Sequence, residues 1–127
     1  MNEIAAATRA LAARVGNMLA RGRVRSVKAT TTMQTLQADL LDEETKDRME
    51  HFEPYGFTSH PKAGAEVLAA FFDGDRSHGV VFMVADRRYR LTTLADGEVV
   101  IHDDISQKIH LTRAGIVIDG GGNPITL

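Results

Sequence analysis

The chain has 127 residues, 43% of them hydrophobic and 25% charged, with fifteen Lys and Arg against seventeen Asp and Glu for a formal charge of −2. These are the proportions of a soluble domain able to bury roughly two-thirds of its unfolded surface unaided, and the charge balance announces no nucleic-acid or anionic-membrane partner. The absence of cysteine excludes disulfide scaffolds, thiolate zinc sites, iron–sulfur clusters and cysteine nucleophiles; no run approaches the roughly 18 apolar residues of a membrane helix, and Glu3, Arg9 and Arg14 break any signal-peptide stretch, so synthesis and initial residence in a cytoplasm are expected.

Residues 1–20 read as an amphipathic helix. Six alanines between Ala5 and Ala13 are strong helix formers, Asn2 and Glu3 suit an N-cap and first turn, and Ile4, Leu11, Val15, Met18 and Leu19 fall on one side. That stripe packs either on its own domain or against another subunit. Gly22 is expected to end the helical pattern, after which Val24 and Val27 interleave with Arg23, Arg25 and Lys28, and Thr30 to Thr32 add β-branched residues, as in a strand. Met33 to Leu41 suggest a second strand paired to the first. Asp42 to Glu50, nearly all charged, read as a solvated loop or short exposed helix.

Pro54, Gly56, Pro61 and Gly64 punctuate the longest irregular connection, Phe52 to Gly64. Two apolar runs follow, Ala65 to Phe72 and Gly79 to Ala85, separated by the hairpin signal Asp73 to His78. Runs this continuous belong to strands buried on both sides or lining a small barrel. About five strands in seventy residues with one long connection fit a Greek-key barrel of the oligonucleotide/oligosaccharide-binding type, spanning residues 21–95.

The remainder, residues 96–127, has a different texture. Glu98 to His102, Gln107 to Thr112 and Gly115 to Asp119 are very short strands, with Ile109 and Leu111 on one face, Lys108, His110 and Thr112 on the other, and Ile116 and Ile118 sharing a face. A ribbon this narrow cannot bury its apolar side alone, because an isolated hairpin is marginal in water. Copies of itself in a closed symmetric assembly would supply the cover.

No constellation points to catalysis, a metal or a cofactor. Alternation sends His102 and Asp103 of His102-Asp103-Asp104 to opposite faces, so that segment reads as a turn. His51, His60 and His78 fall in expected loops without ligand-type partners and read as surface histidines. Ser26, Ser59, Ser77 and Ser106 lack a nucleophile elbow and a neighbouring base, Asp73 and Asp75 read as turn residues, and Gly120-Gly121-Gly122 reads as a turn because no helix follows it. The competing function is single-strand nucleic-acid binding by the barrel, with Arg21, Arg23, Arg25 and Lys28 as one basic strand and Arg87, Arg88 and Arg90 as a second cluster. Against it stand the scarcity of aromatic platforms, Phe71, Phe72 and Phe82 being expected in the core, and the competing reading of the arginines as salt-bridged to neighbouring acidic loops or to another subunit.

The segment from Asp75 to Arg90 (Asp-Arg-Ser-His-Gly-Val-Val-Phe-Met-Val-Ala-Asp-Arg-Arg-Tyr-Arg), together with Pro54-Tyr55-Gly56-Phe57-Thr58-Ser59, Gly64-Ala65-Glu66-Val67, Gly97-Glu98-Val99-Val100 and Lys108-Ile109-His110-Leu111, resembles the Mu-type phage baseplate assembly protein V family of central tail spikes. The resemblance runs in order over most of the chain. It implies a mainly β protein: an OB-fold Greek-key barrel followed by the beginning of an intertwined, trimeric β-helical or β-prism needle. It also implies a structural, non-enzymatic homotrimer in the virion tail baseplate, made in the host bacterial cytoplasm, contacting other baseplate and tail-tube proteins and the host outer membrane during penetration, with no nucleic-acid partner. On this reading Ile101, Ile109, Leu111, Ile116 and Ile118 are buried at the threefold axis. Some members end in a metal-holding His-x-His tip; this chain stops at Thr126-Leu127 without that motif, so neither tip nor ion is assigned.

Overall fold

The computed structural model describes residues 2–41 and 44–127, in two compact units, Met1–Asp86 and Arg87–Leu127. The first begins with α1 (Glu3–Gly16), whose Asn2 side chain accepts the Ala5 N–H at 2.8 Å in the expected N-cap. Helix geometry stops at Gly16 rather than running to residue 20. Leu19 and Ala20 already belong to β1 (Leu19–Lys28), so Gly22 lies inside a strand instead of ending a helix. None of α1 is buried, and Ile4, Leu11 and Val15 are exposed; its apolar stripe does not pack on its own domain.

Five strands close a barrel in the order β1-β2-β3-β5-β4, with β2 at Thr35–Leu40, β3 at Thr45–His51, β4 at Glu66–Phe71 and β5 at Gly79–Ala85. All neighbours are antiparallel except β3 and β5, which is the Greek-key connectivity expected of this barrel type. At Gly22 and Arg23 β1 serves two partners at once, Gly22 standing opposite Leu40 of β2 and Val67 of β4. A side chain there would run into the Asp39 carbonyl and Leu40, so only glycine permits the close approach.

The strand β3 corrects the reading of the charged segment as loop or exposed helix. Two of the residues so read, Asp42 and Glu43, lie outside those described. From Thr45 onward the backbone is in the barrel wall, with Met49 and His51 inward and the charged residues outward. Its alternation is broken by a bulge: Asp47 and Arg48 together stand opposite Gln37, and Arg48 takes φ 54°, a left-handed conformation that the bulge imposes.

Inside the barrel Val24, Leu36, Met49, Val67, Phe71 and Val81 form the bulk of the core. Each such side chain is worth roughly 1.5–3 kcal/mol relative to exposure. The two apolar runs line this barrel rather than being covered on both sides: Val67, Ala69 and Phe71 point in, whereas Leu68 is exposed. Phe71 is fully buried, but Phe72 and Phe82, expected beside it, are both exposed: Phe72 starts the 3₁₀ turn Phe72–Gly74, and Phe82 adjoins the shift in register between β4 and β5.

The second unit holds one antiparallel sheet in the order β6-β7-β8, at Val99–His102, Lys108–Thr112 and Gly115–Asp119. The turns form as the sequence suggests. Asp103 accepts the Ile105 and Gln107 N–H groups, and Asp119 accepts the Gly121 N–H in the glycine turn.

Candidate functional site

Register decides which side chains of the second unit share a face. Val99 opposes Leu111, which opposes Ile116; Ile101 opposes Ile109, which opposes Ile118. Directly opposed residues of antiparallel strands project to the same side, so these six form two apolar rows of three on one face. The structure thus places Ile101, Ile109, Leu111, Ile116 and Ile118 together and adds Val99. The period-two spacing of Val99 and Ile101 was the signal for that sixth member.

All six are exposed, Ile116 by 71% and Ile118 by 58%. No residue between 87 and 127 is buried, so this sheet has no hydrophobic core of its own. The opposite face carries Val100 and Val117 beside His110, and its polar groups pair with one another. Lys108 and Asp119, directly opposed, pair at 3.5 Å. Glu98 gathers three groups: its carboxylate accepts the Ala95 N–H at 3.2 Å and the Arg113 N–H at 3.0 Å, and meets His110 Nε2 at 3.0 Å. Those bonds, the two backbone N–H groups first and His110 after them, hold the Glu98 carboxyl below its ordinary range. The Asp119 carboxyl is lowered likewise by the Gly121 N–H and by Lys108. A sheet whose polar side is finished and whose apolar side is bare can do one thing chemically: stack on another apolar surface.

Among the described residues no cluster of His, Asp and Glu has the makings of a metal site. His60 and His78 are exposed, as expected, but His51 is not a surface residue. It is 6% exposed on the inner side of β3, and desolvation lowers its pKa despite the nearby Glu53. In the basic first strand Arg21 pairs with Glu66 at 3.1 Å and Arg25 with Asp39 at 3.6 Å, the neighbouring-acid pairing that competes with a phosphate-binding role.

Residues 21–88, which contain all of the barrel strands except Leu19 and Ala20 at the start of β1, match the family described as Bacteriophage Mu Gp45, N-terminal. The chain is 40% identical over 102 residues to the baseplate puncturing device gp45 of Escherichia phage Mu, covering 80% of this chain and 52% of that protein. It is 35% identical over 101 residues to the Mu-like prophage FluMu protein gp45 of Haemophilus influenzae, covering 80% of this chain and 55% of that one. The chain therefore spans about half the length of the curated relatives it matches. A family match over more than half of the chain, taking in nearly all of a closed five-stranded barrel, leads to one conclusion: this chain belongs to the bacteriophage Mu Gp45 family.

Proposed function

We propose that this protein is a structural component of a contractile-tail baseplate, acting as the base of a trimeric spike used in tail assembly and penetration of the host envelope. The observation that carries the reading is the bare apolar face of Val99, Ile101, Ile109, Leu111, Ile116 and Ile118 on a sheet with no core. Three such sheets facing one axis would bury eighteen apolar side chains and turn a marginal ribbon into a closed shaft. In that arrangement the ion-paired face looks outward to water. The mechanism is mechanical: a shaft without free strand edges resists bending, and force from the tail passes along it without any bond being made or broken.

A relative named a baseplate puncturing device supports this role, and with it a place in the virion tail baseplate. On the same reading the partners are two further copies of the chain, other baseplate and tail-tube proteins, and the host outer membrane at penetration. Light scattering on the purified chain tests the proposal: the expected mass is three times 13.9 kDa. A monomer persisting at high concentration overturns it.

Single-strand nucleic-acid binding by the barrel is not favoured, since the arginines at 21 and 25 already answer to Glu66 and Asp39.

A further inference from the structure

The long connection after β3 is held by a small polar cluster that the spike reading does not use. Gln34, 9% exposed, sends its side-chain amide to two acceptors: Nε2 donates to the Ser59 carbonyl at 2.9 Å and lies 3.0 Å from His51 Nδ1. A carbonyl oxygen can only accept, so the atom facing Ser59 is the NH₂ group. The imidazole nitrogen facing that same NH₂ must then accept as well. His51 is therefore neutral, with its proton on Nε2 and a lone pair on Nδ1.

The same Nδ1 looks at a second group, the Glu53 Oε1, 3.8 Å away. That oxygen is engaged elsewhere, accepting the Ser59 N–H at 2.8 Å, while Oε2 accepts the Thr58 hydroxyl at 2.8 Å. Ser59 is thus gripped at both ends of its backbone, at N–H by Glu53 and at C=O by Gln34, and both grips converge on one imidazole nitrogen. Between Glu53 and Ser59 lies the tight turn closed by the Phe57 N–H on the Pro54 carbonyl, with Gly56 at φ 86°, and it displays Tyr55 and Phe57 to solvent.

We propose that His51 is a proton-operated clamp on residues 53–59: its neutral form fixes the loop that presents Tyr55 and Phe57, and a proton on Nδ1 releases it. A solvent proton taken up by the Nδ1 lone pair makes that nitrogen a donor, and it then opposes the Gln34 NH₂. Turning the amide over offers Oε1 to Nδ1–H but points the same oxygen at the Ser59 carbonyl, so the link to Ser59 is lost either way. The imidazolium also draws the Glu53 carboxylate inward from its distance of 3.8 Å, which takes it from the Ser59 N–H and the Thr58 hydroxyl. Among the described residues Glu53 is the charged group that acts on His51; β5 offers only Val80 and Val81 beside it, and Glu50, its neighbour on β3, is exposed on the opposite face.

Nitrogen-15 and amide-proton NMR on the full chain tests this without any substitution. At pH 8 the His51 ring is expected as the Nε2–H tautomer. On acidification its titration, with a midpoint below 6.5, is expected to coincide with shift changes and a fall in protection, relative to the intrinsic exchange rate at each pH, at Ser59, Thr58 and Phe57, while Val67 in the barrel wall stays protected. Glu53→Gln, which removes the attracting carboxylate, moves the His51 midpoint to lower pH and moves the loop transition with it. An Nδ1–H tautomer at pH 8, a His51 titration that leaves the Ser59 amide unmoved, or simultaneous loss of protection at Val67 each overturns the clamp.

Discussion

Ile109 of β7 stands directly opposite Ile118 of β8, both on the bare side of the sheet and both exposed. Placing a charge in that row costs nothing in the isolated sheet and a great deal in an assembly that buries it. Ile109→Asp is therefore expected to shift the solution mass from three to one times 13.9 kDa, as read by light scattering. Val117, opposite His110 on the polar face, is the control. Val117→Asp should leave the assembly mass unchanged; a trimer surviving Ile109→Asp contradicts the assignment of the face.

Gly22 and Gly16 predict opposite effects of one added methyl group. At Gly22 the new carbon meets backbone of β2, and Gly22→Ala is expected to cost about 1–3 kcal/mol in urea unfolding. At Gly16, the last residue of α1, nothing lies within 4 Å, and Gly16→Ala should be neutral or stabilising by up to ~1 kcal/mol.

Arg76 packs on Phe71, the last residue of β4. Its guanidinium lies 4.5 Å from the centre of the Phe71 ring, and Nη1 is 3.8 Å from Glu44 Oε1, both of these atoms being shut off from solvent. Arg76→Ala removes the cation–π contact and leaves the enclosed Glu44 Oε1 without its facing guanidinium, Lys46 at 3.8 Å from Oε2 remaining as the carboxylate's other counter-charge. The expected loss is about 1–2 kcal/mol, with part of it recovered in the double variant Arg76→Ala, Glu44→Ala, measured as a double-mutant cycle.

Glu98 gives the second unit a pH dependence of definite sign. Its carboxyl is held below its ordinary value of 4.5 by the Ala95 and Arg113 N–H groups and by His110. The unfolded chain therefore binds this proton more readily than the folded one, so the stabilisation is complete above pH 4.5 and fades as the pH falls below it. Protection factors at the Ala95 and Arg113 amides, taken against the intrinsic exchange rate at each pH, should fall over that acid range, and Glu98→Gln should lower protection at neutral pH while flattening the response.

The strands that could be read from the sequence were β1 and the three short strands, whose apolar and polar residues alternate, β2 as the partner expected for β1, and β4 and β5 as continuous apolar runs. The strand β3 was hidden because only Met49 and His51 of its seven residues are buried, and the bulge at Asp47 and Arg48 interrupts even that alternation. His51 was misread for the same reason, since a histidine in a charged stretch gives no sign that it faces a core. Phe72 and Phe82 failed in the other direction: continuous apolar composition does not say which residues point inward in a barrel wall. In the bare face, Val99 was passed over although its spacing from Ile101 was visible. The Glu98 cluster depends on a turn bringing Arg113 back 15 residues, which no local pattern encodes.

The barrel is closed by ladders of very unequal length. Six residue pairs join β1 to β2 and six join β4 to β5, but only two, Glu50 with Val80 and His51 with Val81, join β3 to β5. Under a push delivered along the chain, that two-rung seam carries the least interstrand bonding and would yield first, opening the wall beside His51 while the longer ladders hold. In the spike proposed above, the weakest part of the barrel wall is therefore the parallel junction of β3 and β5.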